Sequence, residues 1–120
     1  MRGSIMVFES RRPVKCHRTN IRSRLVRLAQ RSPCRYKVAA IGIDRRGRVI
    51  TAATNRSRYF YLGGGKHAEM EVMRRSPRSL VLIVILRLGQ GGVIRPITPC
   101  LRCAAKAQER GIRIVSINGE

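Results

Sequence analysis

Apolar residues recur along the chain at two different periods, and the switches between them divide it into elements. Ile21, Leu25, Leu28 and Ala29 repeat at helical spacing after an N-cap offered by Thr19-Asn20. Arg22, Arg24, Arg27 and Arg31 fall largely elsewhere, which predicts an amphipathic basic helix ended by Ser32-Pro33. Strands are expected over 36–43 and 49–53. The tight-turn signal Asp44-Arg45-Arg46-Gly47 between them makes the pair an antiparallel hairpin. Arg56 to Lys66 reads as a loop, aromatic at Tyr59-Phe60-Tyr61 and glycine-rich at Gly63-Gly64-Gly65. His67 to Arg75 reads as a second helix, with Ala68, Met70, Val72 and Met73 available for packing, and Ser76-Pro77 stops it. Leu80 to Leu86 is a continuous apolar run, as a strand covered on both faces requires. Gly89 to Pro96 is expected to be loop. A third helix then opens with Thr98 as N-cap and Pro99 at its first position, and stops at Gly111. Ile112 to Ile117 is the last strand.

The order helix, strand, strand, helix, strand, helix, strand predicts one α/β domain with parallel pairing in its second half. Residues 1–18 read as a basic N-terminal arm and 19–120 as the folded domain. There is no internal repeat, low-complexity tract or linker.

Charge changes the picture next. The 120 residues include 26 Lys+Arg against 6 Asp+Glu, a formal net charge of +20. Such a surface attracts polyanions over several Debye lengths at low salt, so nucleic acid is the first expected partner. An anionic membrane surface ranks behind it and is not expected as a partner. A hydrophobic content of 43% argues against a wholly disordered basic tail. No apolar run is long enough to cross a bilayer, and no secretion segment opens the chain. The expectation is a soluble, cytoplasmic protein.

Two short pieces carry candidate chemistry: His67-Ala68-Glu69 and Pro99-Cys100-Leu101-Arg102-Cys103. Singly, each is weak. A histidine that begins a helix is usually a cap or surface residue, and a lone C-x-x-C suits a redox pair or half of a structural zinc site. Together they supply three ligands for one metal, leaving the fourth position open as in catalytic zinc sites. A closed structural site would need a fourth ligand from Cys16, His17 or Cys34. Cys100 and Cys103 lie one turn apart at a helix start, whose partial positive charge is expected to lower their pKa. Glu69 falls two positions after the histidine. A carboxylate beside the metal, not on it, can carry protons from an attacking water to a ring nitrogen and a departing amine.

H-x-E followed by P-C-x-x-C is the signature of zinc nucleobase deaminases. Over about Asn20 to Ile117 the chain resembles the cytidine deaminase-like superfamily in both motifs and element order. The resemblance implies a three-layer α-β-α fold around a mixed sheet of about four strands. The further helix and strand that many members add after the element at Ile112 to Ile117 are missing here. It also implies Zn²⁺ bound by His67, Cys100 and Cys103, with Glu69 as the catalytic proton shuttle. Asn55 stands where an asparagine commonly contacts the nucleoside. Arg56 follows it, as in the tRNA adenosine and nucleotide deaminases. Ser57 replaces the ribose-binding glutamate of free-cytidine deaminases. Ala68 and Pro99, within the motifs, join the substrate-binding set. An open sheet edge implies a homo-oligomer.

Tyr59 and Tyr61 could stack a base, while Arg56, Arg58 and Lys66 could hold phosphates. The expected function is therefore zinc-dependent hydrolytic deamination of a nucleobase, cytosine to uracil first and adenine as the main alternative. The substrate bears phosphate, with single-stranded nucleic acid favoured. The competing readings are a free-nucleotide deaminase of deoxycytidylate or cytidine type, and a non-catalytic nucleic-acid-binding protein with structural zinc.

Overall fold

The computed structural model of the chain describes residues 15–59 and 64–117, with side chains over 21–56 and 67–117. Phe60 and Tyr61 lie outside the described residues, as do the side chains of Cys16, His17, Arg58, Tyr59 and Lys66. Helix α1 spans Lys15–Gln30. It starts ahead of the expected Thr19-Asn20 cap because Lys15 to Arg18 contain neither proline nor glycine, and nothing there stops a helix from propagating backwards. Its end falls as expected: Ser32 N–H still reaches the Ala29 carbonyl at 3.0 Å, and Pro33 bars a further helical residue.

Strands β1 (Lys37–Asp44) and β2 (Val49–Thr54) form the expected antiparallel hairpin. Its turn is fastened by the Asp44 carboxylate, which accepts from the Arg46 and Arg48 backbone N–H groups, each at 2.9 Å, and from Arg48 Nε at 3.1 Å. Burial alone would raise this carboxyl. The two backbone donors and the Arg48 guanidinium outweigh burial and hold it below its ordinary value of 3.8.

The segment expected as loop contains a small second sheet, β3 (Arg56–Tyr59) paired antiparallel with β4 (Gly64–Lys66). Arg56 faces Lys66 and Ser57 faces Gly65 in its register. Glycines carry no side-chain alternation, so a strand made partly of them has no readable period. Helix α2 follows over Ala68–Arg75, with His67 as its N-cap residue. Strand β5 runs from Leu80 to Leu88 and is buried on both faces, two residues longer than expected. A short 3₁₀ turn at Gln90–Gly92 leads into β6, only Ile94–Arg95, which pairs with the end of β5. Helix α3 spans Leu101–Glu109, and β7 covers Arg113–Ser116. Gly111, at φ 71°, takes the left-handed position that closes the helix and that side chains disfavour.

The main sheet has five strands in the order β2-β1-β5-β6, with β7 also on β5. β1 and β5 are antiparallel, whereas β5 and β7 are parallel across the α3 crossover, as element order predicted. About four strands were expected; the fifth is the two-residue β6. Alternate residues of the sheet feed two cores. Ala39, Ile41, Ile43, Leu82, Val84, Leu86 and Leu88 pack under α1 through Ile21, Leu25 and Ala29. Val38, Ala40, Ala53, Ile83 and Ile85 pack on the opposite face against Ala68, Val72, Met73 and Ala107 of α2 and α3. Three layers result. Each fully buried Leu or Ile contributes about 1.5–3 kcal/mol, so the two-sided burial of β5 anchors the domain. Among the described residues no helix is long and apolar enough to cross a membrane.

Candidate metal centre and active site

The α2/α3 face carries the candidate chemistry because both helices begin at the same end of the sheet. α2 leads into β5 through Ser76-Pro77, so its N-terminus lies near the far end of that strand. α3 leaves from that far end and returns into the parallel β7. Helix starts therefore meet at the carboxyl end of β5, where open α/β sheets form their ligand crevice.

His67, Cys100 and Cys103 converge there. Their nitrogen and sulfur atoms all lie within 4.8 Å of one another, and Cys103 Sγ is 3.6 Å from His67 Nδ1. A tetrahedral ion with ordinary nitrogen and thiolate bond lengths holds its ligand atoms roughly 3.5–3.8 Å apart. The donor set and its spacing fit one metal ion, with His67 exposed to solvent and Cys103 buried.

The third helix does not start as its sequence suggests. Thr98 and Pro99 precede it, and Cys100 is the N-cap residue, its sulfur accepting from Cys103 N–H at 3.3 Å. A sulfur can take the place of a hydroxyl oxygen at a helix start, and here it also faces His67 and Cys103. Burial pushes the Cys103 thiol well above its ordinary value. Its hydrogen bond with Cys100 and the Glu69 charge push the same way, against a backbone hydrogen bond from Met70. The lowering expected from the helix start is thus overturned at Cys103: desolvation and a nearby carboxylate outweigh a partial charge. A metal ion held by Cys100 and Cys103 would reverse that balance and favour the thiolate.

Glu69 is 4% exposed, in the first turn of α2. Its neighbour Glu71 instead pairs with Arg74 at 2.9 Å on the surface. Among the described residues, no hydrogen bond or ion pair holds the Glu69 carboxylate.

The expected substrate residues are placed unevenly. Ala68 is wholly buried in the core beside Val72, while Pro99 is half-buried next to Cys100. Arg56 is exposed at the start of β3. Asn55 is tied into the scaffold: Oδ1 accepts from Val38 N–H at 2.9 Å and from Ser32 Oγ at 2.7 Å. Its Nδ2 donates to the Tyr36 carbonyl at 2.6 Å. Tyr59 lies on β3, and Tyr61 is outside the described residues. Sequence reasoning gave no role to Tyr36 or Arg87, whose guanidinium carbon sits 3.9 Å from the Tyr36 ring centroid. The only signal was a single charge interrupting the apolar run between Leu86 and Leu88.

No protein-family model matches the chain, and no curated protein matches it. Solved structures do. A cytidine deaminase from Burkholderia pseudomallei aligns at TM-score 0.58 and 19% identity, covering 82% of this chain and 87% of that one. A mutant cytidine deaminase from Mycobacterium tuberculosis aligns at TM-score 0.58 and 22% identity, over 81% of each chain. The chain has the cytidine deaminase-like fold. A Mycobacterium leprae cytidine deaminase agrees, at TM-score 0.57 and 21% identity over 77% of this chain and 81% of that one. Within the cytidine deaminase-like fold, the His/Cys/Cys group occupies the starts of the two helices that share one face of the sheet.

Proposed function

We propose that this protein is a zinc-dependent hydrolytic deaminase of a nucleobase, cytosine to uracil, acting on a phosphate-bearing substrate with single-stranded nucleic acid favoured. The observation that carries this reading is the meeting of His67, Cys100 and Cys103 with a buried Glu69 two residues after His67, in the first turn of α2. The likeness to cytidine deaminases supports the reaction type, and the net charge of +20 supports an anionic substrate.

His67, Cys100 and Cys103 would hold the zinc, which when bound acts as a Lewis acid and makes water nucleophilic at neutral pH. Glu69 takes a proton from the attacking water and delivers it to the ring nitrogen. As a carbon–oxygen bond forms at the amino-bearing carbon, the ring carbon–nitrogen double bond beside it becomes single and its electron pair takes up that proton. Glu69 then carries the second proton to the amino group, and the carbon–nitrogen bond breaks with loss of ammonia. A carboxylate without a fixed partner suits this double transfer, because each proton must be both accepted and given up. Tyr59 and Tyr61 are proposed to stack the base, with Asn55 and Arg56 bordering it and Ala68 and Pro99 flanking the metal ligands. The edge strand β2, which pairs only with β1 in the described sheet, supports a second copy of the chain as a neighbour in a homo-oligomer.

The test is incubation of the zinc-loaded protein with cytidine, cytidine monophosphate, single-stranded DNA and RNA, followed by product masses. Exchange of an amine for an oxygen in the polymers supports the reading. Turnover confined to the mononucleotide moves the substrate to free nucleotides, and no turnover of any cytosine compound rejects it.

A further inference from the structure

The end of β5 and its partner β6 bring together two arginines that nothing in the described structure neutralises. Arg87 lies two residues beyond Ile85 and four beyond Ile83, both packed under α2 and α3, so strand alternation puts it on that same face. Arg95 of β6 is its direct partner in the antiparallel register. Like charges placed opposite each other in a sheet repel. The ion pairs among the described residues are Asp44 with Arg48, Glu71 with Arg74, and Glu109 with Lys106. None involves Arg87 or Arg95.

The Arg87 side chain is also fixed in place. Its guanidinium lies over the Tyr36 ring at 3.9 Å, and the Tyr36 backbone is clamped by Asn55 Nδ2. Arg87 Nε is shielded from solvent, yet has no hydrogen-bond partner among the described residues. Arg95 packs beside it against Gly89, where an added Cβ would come within 2.8 Å of Arg95 Nε. A planar guanidinium held on an aromatic ring, with a second guanidinium across the strand pair, is suited to an oxyanion. The pair stands at the carboxyl end of β5, the end from which the chain proceeds to Cys100.

We propose that Arg87, seated on Tyr36 and backed by Arg95, binds a phosphate group of the substrate at the edge of the candidate metal centre. The proposal rests on the deaminase reading for its substrate, but the anion site itself is testable without turnover. Two sources share this chemistry: the phosphate of a mononucleotide and the phosphodiester of a strand.

The experiment follows the Nε–H resonance of Arg87 by nitrogen-proton spectroscopy in the zinc-loaded protein, identified by its disappearance in Arg87→Lys. Inorganic phosphate is expected to shift it saturably, while chloride at matched ionic strength leaves it in place. No shift, or the same shift with chloride, overturns the proposal. Cytidine monophosphate and a deoxycytidine trinucleotide without terminal phosphates then name the source by whichever shifts it at lower concentration. In turnover, Arg87→Met should raise the ratio of KM for cytidine monophosphate to KM for cytidine roughly tenfold, as loss of a charge-assisted contact predicts. An unchanged ratio would count against Arg87. A phosphate shift in a protein that deaminates nothing would reject the deaminase reading and leave the anion site standing.

Discussion

Two carboxylates of this chain are buried to nearly the same degree, Asp44 at 5% exposure and Glu69 at 4%, and they are treated in opposite ways. Asp44 closes the β1–β2 turn with three donors on its oxygens, and it is held ionised by them. Glu69 lies in the first turn of a helix beside three side chains that could hold a metal, and no described residue fixes its oxygens. Burial of a charge is costly unless hydrogen bonds or a counter-ion offset it. At Asp44 the backbone provides the offset. At Glu69 it is left for the contents of the site to provide. A carboxylate closed by backbone donors is structural; one that no described residue bonds, beside a group that could hold a metal, is available for chemistry.

The largest effect expected from this contrast is at Glu69. Glu69→Gln should lower deamination by about 10²–10⁴-fold while leaving roughly one zinc per chain, measured by product mass and metal analysis. Loss of the metal in that variant would make Glu69 a ligand and erase the contrast. His67→Ala or Cys100→Ala should do the reverse, removing zinc first and activity as a result. Gly42→Ala gives a stability control that removes neither carboxylate. A Cβ there would lie 2.7 Å from Val72 Cγ1 and 2.8 Å from Leu80 Cδ1. Overpacking of that kind costs about 1–3 kcal/mol, read by denaturant melting.

Asp44→Ala should cost a similar or smaller amount, about 1–3 kcal/mol, with deamination per folded molecule unchanged. The smallest effect is in pH. Because the Asp44 pKa is lowered by folding, its stabilisation is complete above about 3.9 and is lost as pH falls further. The acid-unfolding curve of Asp44→Ala should therefore converge on wild type below that pH and diverge above it. Parallel curves throughout would remove Asp44 from the account of acid stability.

Much of this arrangement was legible because local chemistry and the global fold agree. The hairpin turn, the doubly covered β5 and the α3 crossover each follow from periods and breakers within a dozen residues. The His-x-Glu and Cys-x-x-Cys pieces were readable for the same reason, since each ligand type is tied to a helix start. What escaped depends on partners distant in sequence. The side chain of Asn55 joins Ser32, Tyr36 and Val38, contacts no local pattern announces. β3 and β4 pair through glycines, and a glycine strand has no period. At α3 the stronger capping preferences of Thr98 and Pro99 lost to Cys100, whose sulfur serves the helix and the ligand group together.

The spacing of the ligands along the chain has a consequence for assembly. Cys100 and Cys103 are three residues apart and need only one helical turn to face a single ion, whereas His67 stands 36 residues before Cys103. Its arrival needs α2 and α3 packed on one face of a sheet whose partners, such as Ile41 and Val84, are far apart in sequence. Closing such non-local strands is the slow part of folding. Two thiols can therefore capture a metal ion in the still-unfolded chain, with the imidazole completing the set last. Affinity of that kind for the unfolded state subtracts from the stabilisation a ligand gives the native one. Added metal should raise the melting temperature by less than its affinity for the folded protein would imply.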